Sequence, residues 1–411
     1  MKFYSTNDNK NTVSLDDALF KGISSDGGLF IPSRIPIINP TDYVNLDYPE
    51  FSFQLLKNFF KDSSLEDSLK EICYESFNFP ILFKTISSTT KVLELYHGPT
   101  QAFKDFGARF LAQCLKRINK PITILTATSG DTGSAVASAF HGIPNIKVVV
   151  LYPKDGVSEE QRSQLNYWKD NIHPIAFDGN FDECQQNVKR ALKENLDKDN
   201  LCSANSINIG RILGQVTYYA YTSLKNPSAS YIIPSGNMGN ALACIWAKKM
   251  GFPIYDITLA TNANKSIPYF FKSNKLKKFK TIKTVANAMD VGLPSNLERI
   301  KNIFPLDTIN EFIKIYSTSD EEIKKTILET FKKYNYIIDP HTACAFYALN
   351  SIKNISPQII VATAHPIKFK KIIDEIGLEK DIDVPSEFTK FINNKFSETV
   401  VKNYKEFIKS Y

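Results

Sequence analysis

From about residue 91 the chain repeats one mode of construction: a short apolar strand, a turn of small residues, then a helix. "PITILTATSGDTGSAVASAFHG" (121–142), "ASYIIPSGNMGNALACIWAKKMGFP" (229–253) and "PQIIVATAHPIKFKKIIDEIG" (357–377) each follow it. Between them lie further strands, "KVLELYHGPT", "NIKVVVLYPKDG" and "HPIAFDG", and the amphipathic helix "FDECQQNVKRALKEN". Continuous Val/Ile runs mark strands buried on both faces, and strands alternating with helices build parallel α/β sheets, one or two of them. Ligands in such sheets gather where the carboxyl ends of strands meet helix N-termini. That places "TSGDTG", "PSGNMG" and "TAHP" at the expected ligand side.

The first ninety residues have a different rhythm. A helix over Ser14 to Phe20 runs into a turn at Asp26-Gly27-Gly28 and a short apolar strand, and helical patterns follow at "YPEFSFQLLKNFF" and "SLEDSLKEICYESF". The chain therefore divides into a largely helical section 1–90, an α/β section 91–228 and a second α/β section 229–411. The six cysteines form no CxxC pair, so neither a zinc site nor a disulfide framework is read from them, and no metal is expected. The polar start "MKFYSTNDNKNTVS" and the lack of a long apolar run indicate no membrane span and a cytoplasmic location. A net charge of +7 does not by itself imply a polyanion partner. The lysine run "KSNKLKKFKTIK" (272–283) lacks arginine and interleaved aromatics, so it reads as a solvated loop and not a nucleic-acid surface.

Four features carry chemistry. In "HGPTQAFKDFGARF" Lys104 lies between Phe103 and Phe106, an apolar setting that disfavours the charged amine, and a neutral amine is what Schiff-base chemistry requires. A structural lysine paired with Asp105 or Glu94 is the plain alternative. In "PSGNMGNA" the glycines Gly236 and Gly239 let successive N–H groups converge on an anion at a helix start, with Ser235 and Asn237 as further donors; alone, it is also an ordinary turn. "TATSGDTGSA" offers the hydroxyls of Thr128, Ser129 and Thr132 to a carboxylate or phosphate, while Asp131 either caps the helix or meets a ligand proton. Thr363, at the end of an apolar strand, either faces a ligand ring nitrogen or caps the next turn. Taken together, a reactive lysine, a phosphate cradle and a strand-end hydroxyl are the parts of a pyridoxal phosphate site.

On these motifs, together with "VSLDDALFKGISSDGGLFIP", "SANSINIGR" and "NAMDVGLPSN", the chain resembles the threonine synthases, pyridoxal-phosphate enzymes of the tryptophan-synthase-β fold type. The resemblance spans nearly the whole chain and is nearest to the enteric-bacterial and yeast branch. It implies two parallel-sheet α/β lobes with the cofactor between them. It implies Lys104 as the Schiff-base lysine, and Ser235, Gly236, Asn237, Met238 and Gly239 as the cradle of the cofactor phosphate. Thr363 would face the pyridine nitrogen and Asp131 the cofactor's hydroxyl side. Thr128, Ser129 and Thr132 would lie by the substrate carboxylate. Asn205, Ser206, Asn208 and Arg211 would help hold the substrate, with Arg211 at its phosphate. Met238 stands where many relatives have phenylalanine, which repacks one wall of a cradle built from backbone.

The activity so implied is a carbon–oxygen lyase reaction on a phosphate ester, the last step of threonine biosynthesis. O-phospho-L-homoserine and water become L-threonine and phosphate by γ-elimination and β-replacement. A monomer and a closure of the two lobes on substrate are expected from the same resemblance. His97 and His365 are read as orienting groups. The rivals are a sibling elimination enzyme such as a threonine dehydratase or cysteine synthase, a non-catalytic pyridoxal-phosphate-binding relative, and a basic nucleic-acid binder. The N-terminal segment and "NAMDVGLPSN" separate the first from the threonine synthases.

Overall fold

The computed structural model describes residues 1–195, 200–352, 356–378, 381–392 and 394–410. The chain opens with three short strands, β1 (Lys2–Ser5), β2 (Thr12–Ser14) and β3 (Phe30–Pro32), in an antiparallel sheet of order β2-β1-β3. The helix Leu15–Lys21 follows β2, capped by Ser14, whose side chain accepts from the Asp17 N–H. The helix and β3 match the periodicity of the sequence. The two-strand ladder of β1 and β2 does not show there, because each strand is too short to display alternation.

A six-stranded sheet has the order β12-β11-β10-β13-β5-β4. Its strands are β4 (Leu82–Thr85), β5 (Thr90–Glu94), β10 (Ala229–Pro234), β11 (Ile254–Thr261), β12 (Ile313–Ser317) and β13 (Gln358–Ala362). All neighbours run parallel except β4, which closes the edge antiparallel to β5. A five-stranded, parallel sheet has the order β14-β8-β7-β6-β9, from β6 (Ile122–Ala127), β7 (Ile146–Pro153), β8 (Ile172–Phe177), β9 (Leu201–Ser203) and β14 (Thr399–Val401). Membership of the sheets thus follows a partition different from chain cuts at 91 and 229. β4 and β5 precede the five-stranded sheet yet belong to the other one, and β14 returns from the C-terminus to pair with β8.

The core is rich in phenylalanine and continuous with the N-terminal section. The helix Tyr48–Phe60 starts at the cap Asp47 and buries Phe51, Leu55, Leu56, Phe59 and Phe60 along one face. Phe60 meets Phe110 edge-on at 5.9 Å, and Phe77 stacks on Phe110 at 5.8 Å. Phe110 belongs to the helix Lys104–Ile118, so the N-terminal helices pack directly on the element that begins with Lys104. The lysine run after Ser273 is irregular and mostly exposed, as a solvated loop should be.

Candidate active site

The carboxyl ends of β6, β10 and β13 converge on a cavity of about 110 Å³ lined by segments from both sheets. β13 lies between β10 and β5, in register from Gln358 opposite Thr90 to Ala362 opposite Glu94. The next residue, Thr363, accepts from the Phe103 N–H at 2.9 Å through its carbonyl, which sets Lys104 beside it. The Thr363 hydroxyl faces the cavity and makes no hydrogen bond among the described residues.

Lys104 is the first residue of its helix. Its Nζ lies 3.3 Å from Asp131 Oδ2 and 4.7 Å from the centroid of the Phe103 ring. Neither partner considered from the sequence alone is the one observed. Asp105 accepts from the Thr100 N–H at 2.8 Å and its hydroxyl at 2.7 Å, and Glu94 bonds to His97 and Tyr336. Burial lowers the Lys104 pKa; Asp131 pulls it back, and Lys368 and Arg211 push with burial.

Asp131 does not cap its own helix. That task falls to Thr128, whose Oγ1 accepts from the N–H groups of Gly130 at 2.9 Å and Gly133 at 2.8 Å. The carboxylate instead receives Lys104 on one oxygen, and Lys368 (3.1 Å) and Gln161 Nε2 (2.8 Å) on the other. Burial works to raise the Asp131 pKa, but Lys368, Lys104, His341 and Gln161 outweigh it and hold the group well below the ordinary carboxylate range.

The loop after β10 has the geometry of an anion cradle. Met238 adopts a left-handed conformation (φ 63°) just before the helix Gly239–Lys249. The N–H groups of Gly236 through Ala241 find no acceptor among the described residues, and unpaired donors at a helix start attract an anion. Gly236 cannot carry a side chain, since a Cβ there would lie 2.7 Å from Met289 Cα and 2.9 Å from the Ala288 carbonyl oxygen. Asn237 is held from both sides, donating to Ser206 Oγ at 2.7 Å and accepting from the Ser295 N–H at 2.6 Å. Ser235 Oγ donates to the Ile233 carbonyl.

Arg211 is buried and lines the same cavity. Nη1 donates to the Ala204 carbonyl at 2.6 Å, Nε has no partner, and no described carboxylate pairs with it. Burial draws its pKa down to about 10, which leaves it charged at neutral pH. An unmatched guanidinium, a row of unmatched N–H groups and a buried amine in one cavity fit a phosphorylated cofactor together with an anionic substrate. Ser129, Thr132, Asn205 and Ser206 also line the cavity, Asn205 by pairing with both backbone groups of Ala127.

Asn208 is the one expected site residue that the fold keeps out. It is fully buried, caps the helix Ile209–Lys225 by accepting from the Gly210 N–H, and donates to the carbonyls of Leu19 and Ser203. Its amide is consumed by the backbone, so it is a brace and not a ligand group. Conversely, Lys368, Gln161, His341 and Asn240 belong to the site or its support and were not anticipated. Lys368 had a signal: it lies directly between Ile367 and Phe369, an apolar setting like that of Lys104 between Phe103 and Phe106. The Asp-Pro-His start of the helix Pro340–Leu349 reads only as a cap, yet His341 Nε2 accepts from the Ala288 N–H at 3.1 Å while Nδ1 bonds Asp339 at 2.7 Å.

Residues 92–364 match the family of pyridoxal-phosphate dependent enzymes, which agrees with the cradle, lysine and strand-end hydroxyl just described. Residues 2–77 match the threonine synthase N terminus. The threonine synthase of Escherichia coli is 38% identical over 400 residues, covering 94% of this chain and 93% of the relative. The crystal structure of an Escherichia coli threonine synthase superposes with a TM-score of 0.94 at 36% identity, over 100% of this chain and 99% of that one. A pyridoxal-phosphate-bound threonine synthase from Brucella melitensis gives 0.90 at 28% identity, over 100% and 98%. The chain belongs to the threonine synthase family.

Proposed function

We propose that the chain converts O-phospho-L-homoserine and water to L-threonine and inorganic phosphate. The observation that carries this reading is the buried Arg211, charged and without a carboxylate, in one cavity with Lys104 and the 236–241 cradle. Two sets of unmatched donors that share one cavity with an amine suit a phosphorylated cofactor and a phosphorylated substrate together. Pyridoxal phosphate, when bound, supplies the electron sink for charge that develops on the substrate beside its amine.

The roles of the chain's own groups follow from their settings. Lys104, with its free base favoured by burial, would hold the cofactor and would carry protons at the Cα and Cβ of the substrate. Asp131, kept ionised, orients that amine. The N–H groups of Gly236 to Ala241 would hold the cofactor phosphate, and the Thr363 hydroxyl would meet the ring nitrogen. Ser129 and Thr132, at the start of the helix Asp131–Phe140, receive the substrate carboxylate. Phosphate would leave from Cγ toward Arg211, the proton taken from Cβ would be returned at Cγ to form the methyl group, and water would add at Cβ with its second proton passing to the released phosphate. The chain is proposed to act in the cytoplasm, a reading supported by its six free, buried cysteines, and as a monomer, as the resemblance to its branch of the family implies. Among the described residues no helix is long and apolar enough to cross a membrane.

The test is a visible absorption spectrum of the purified protein before and after O-phosphohomoserine, with phosphate and threonine followed in parallel. The expected result is a cofactor band that K104A lacks, and both products from the unmutated protein only. A band without products would refute the substrate assignment, and no band after added pyridoxal phosphate would refute the role of Lys104.

A further inference from the structure

Lys368 is the one lysine among the described residues with no exposed surface. It lies under the cavity, not in its lining, and nothing in the reaction proposed above employs it. Its Nζ is 2.7 Å from the Thr100 carbonyl oxygen, 2.8 Å from Gln164 Oε1 and 3.1 Å from Asp131 Oδ1. Three acceptors around one nitrogen require three N–H donors, which only the ammonium form has. Lys104 differs: its nitrogen has one acceptor, Asp131 Oδ2, at the longer distance of 3.3 Å. The two lysines thus grip opposite oxygens of a single carboxylate.

That sharing matters because Lys104 has to let go. A lysine that bonds a cofactor and then shuttles protons leaves its carboxylate partner at each turn, and a buried carboxylate stripped of its only cation takes up a proton or moves. We propose that Lys368 is a positioning residue, a second cation that keeps Asp131 ionised and fixed whichever bond Lys104 is making. It makes Lys104 the amine that gives up its proton. The inference rests on the reading of Lys104 as the cofactor lysine. The other charged or titratable groups facing the cluster are Arg211 from the helix Ile209–Lys225, His341 from the helix Pro340–Leu349 and Asp105 beside Lys104.

The test is the pH titration of the holoenzyme's visible band in K368M. Removal of a buried positive charge leaves the nitrogen of Lys104 as the one lysine on Asp131, beside the neutral amide of Gln161. The midpoint should therefore move up by about one pH unit or more, a tenfold change in proton affinity, and the kcat/KM profile should move with it. A merely structural lysine would lower the yield or the melting temperature and leave the midpoint in place. Coincident titrations of folded K368M and the unmutated enzyme would overturn the proposal. If K368M does not fold, the unmutated holoenzyme decides by ¹⁵N-lysine NMR. One exchange-protected ammonium resonance should persist from about pH 6 to about pH 9 while the visible band titrates; its absence would overturn the proposal. Lack of any band in the unmutated enzyme would instead count against the role of Lys104 itself.

Discussion

The contact between the helices Lys104–Ile118 and Ile209–Lys225 gives a sharp prediction through Gly107, one turn beyond Lys104. A Cβ on Gly107 would lie 2.6 Å from the Arg211 carbonyl oxygen, 2.9 Å from Arg211 Nε and 3.1 Å from Gln215 Nε2. The first of these is backbone and cannot rotate aside, so G107A has to drive the helices apart by about 0.8 Å to restore an ordinary contact, at a cost of about 1–3 kcal/mol. Alanine returns about 1 kcal/mol of helix propensity over glycine. The net loss is then about 0–2 kcal/mol, which moves the melting temperature by only a few degrees in a chain of this size. Catalysis should suffer far more, because the displaced groups are Lys104 on one helix and Arg211 on the other. A misplacement near 1 Å costs about 10²-fold, so kcat/KM for phosphate release should fall about 10- to 100-fold. A G107A enzyme with kcat/KM within about twofold of the parent and an unchanged melting temperature would refute the claim that this contact sets the spacing of amine and guanidinium.

Three further outcomes are expected. N208A should lose about 2–4 kcal/mol, from a helix cap and two buried carbonyls left unpaired, with KM unchanged; a raised KM at intact stability would return Asn208 to the substrate site. R211K should raise KM for the phosphorylated substrate by about tenfold or more while the visible band persists, since an ammonium cannot reproduce the guanidinium's planar donors; unchanged KM would remove Arg211 from the phosphate site. His365 is held neutral by burial, its pKa lowered to about 4, and accepts from the Ile367 N–H at 3.2 Å. The unfolded chain takes up a proton there below about pH 6.5 and the folded one does not. Its contribution is therefore complete above about pH 6.5 and is lost as pH falls toward 4, up to about 3 kcal/mol. H365N should flatten the acid limb of a stability-against-pH curve measured by urea unfolding, and an unchanged limb would contradict the burial argument.

What a sequence shows is local. The strand-turn-helix units around Thr128, Ser235 and Thr363 were legible because strand, glycine turn and helix start are neighbours in the chain and the ligand side follows from topology. Pairings across the fold were not. Lys104 finds Asp131, 27 residues on, over the adjacent Asp105, because Asp105 is already consumed by the turn at Thr100. The return of β14 to β8 and the antiparallel edge strand β4 are likewise long-range choices made by short strands with no distinguishing pattern. Asn208 misled for a related reason. A motif shows which residues cluster, and only the backbone geometry shows that its amide is spent on Leu19 and Ser203.

The same geometry explains why a section without reacting groups accompanies the site. The Leu19 carbonyl accepts from Asn208, and the β3 carbonyl of Phe30 accepts from Arg299 Nε at 3.0 Å. Arg299 is fully buried; Nη1 donates to the Ser206 carbonyl at 3.0 Å and Nη2 to that of Ile207 at 2.5 Å. The segment 203–211, which presents Asn205, Ser206 and Arg211, is thus tied to the N-terminal residues at two points, directly at Leu19 and from Phe30 by way of Arg299. Gly22 at the end of the first helix approaches Asn208 and Cys202 so closely that a Cβ would meet both at 3.0 Å. A guanidinium buried without a carboxylate is costly unless its carbonyl partners are fixed. Burial draws the Arg299 pKa down to about 9, a measure of that cost. The N-terminal section therefore braces the segment that presents Arg211 to the cavity it shares with Lys104.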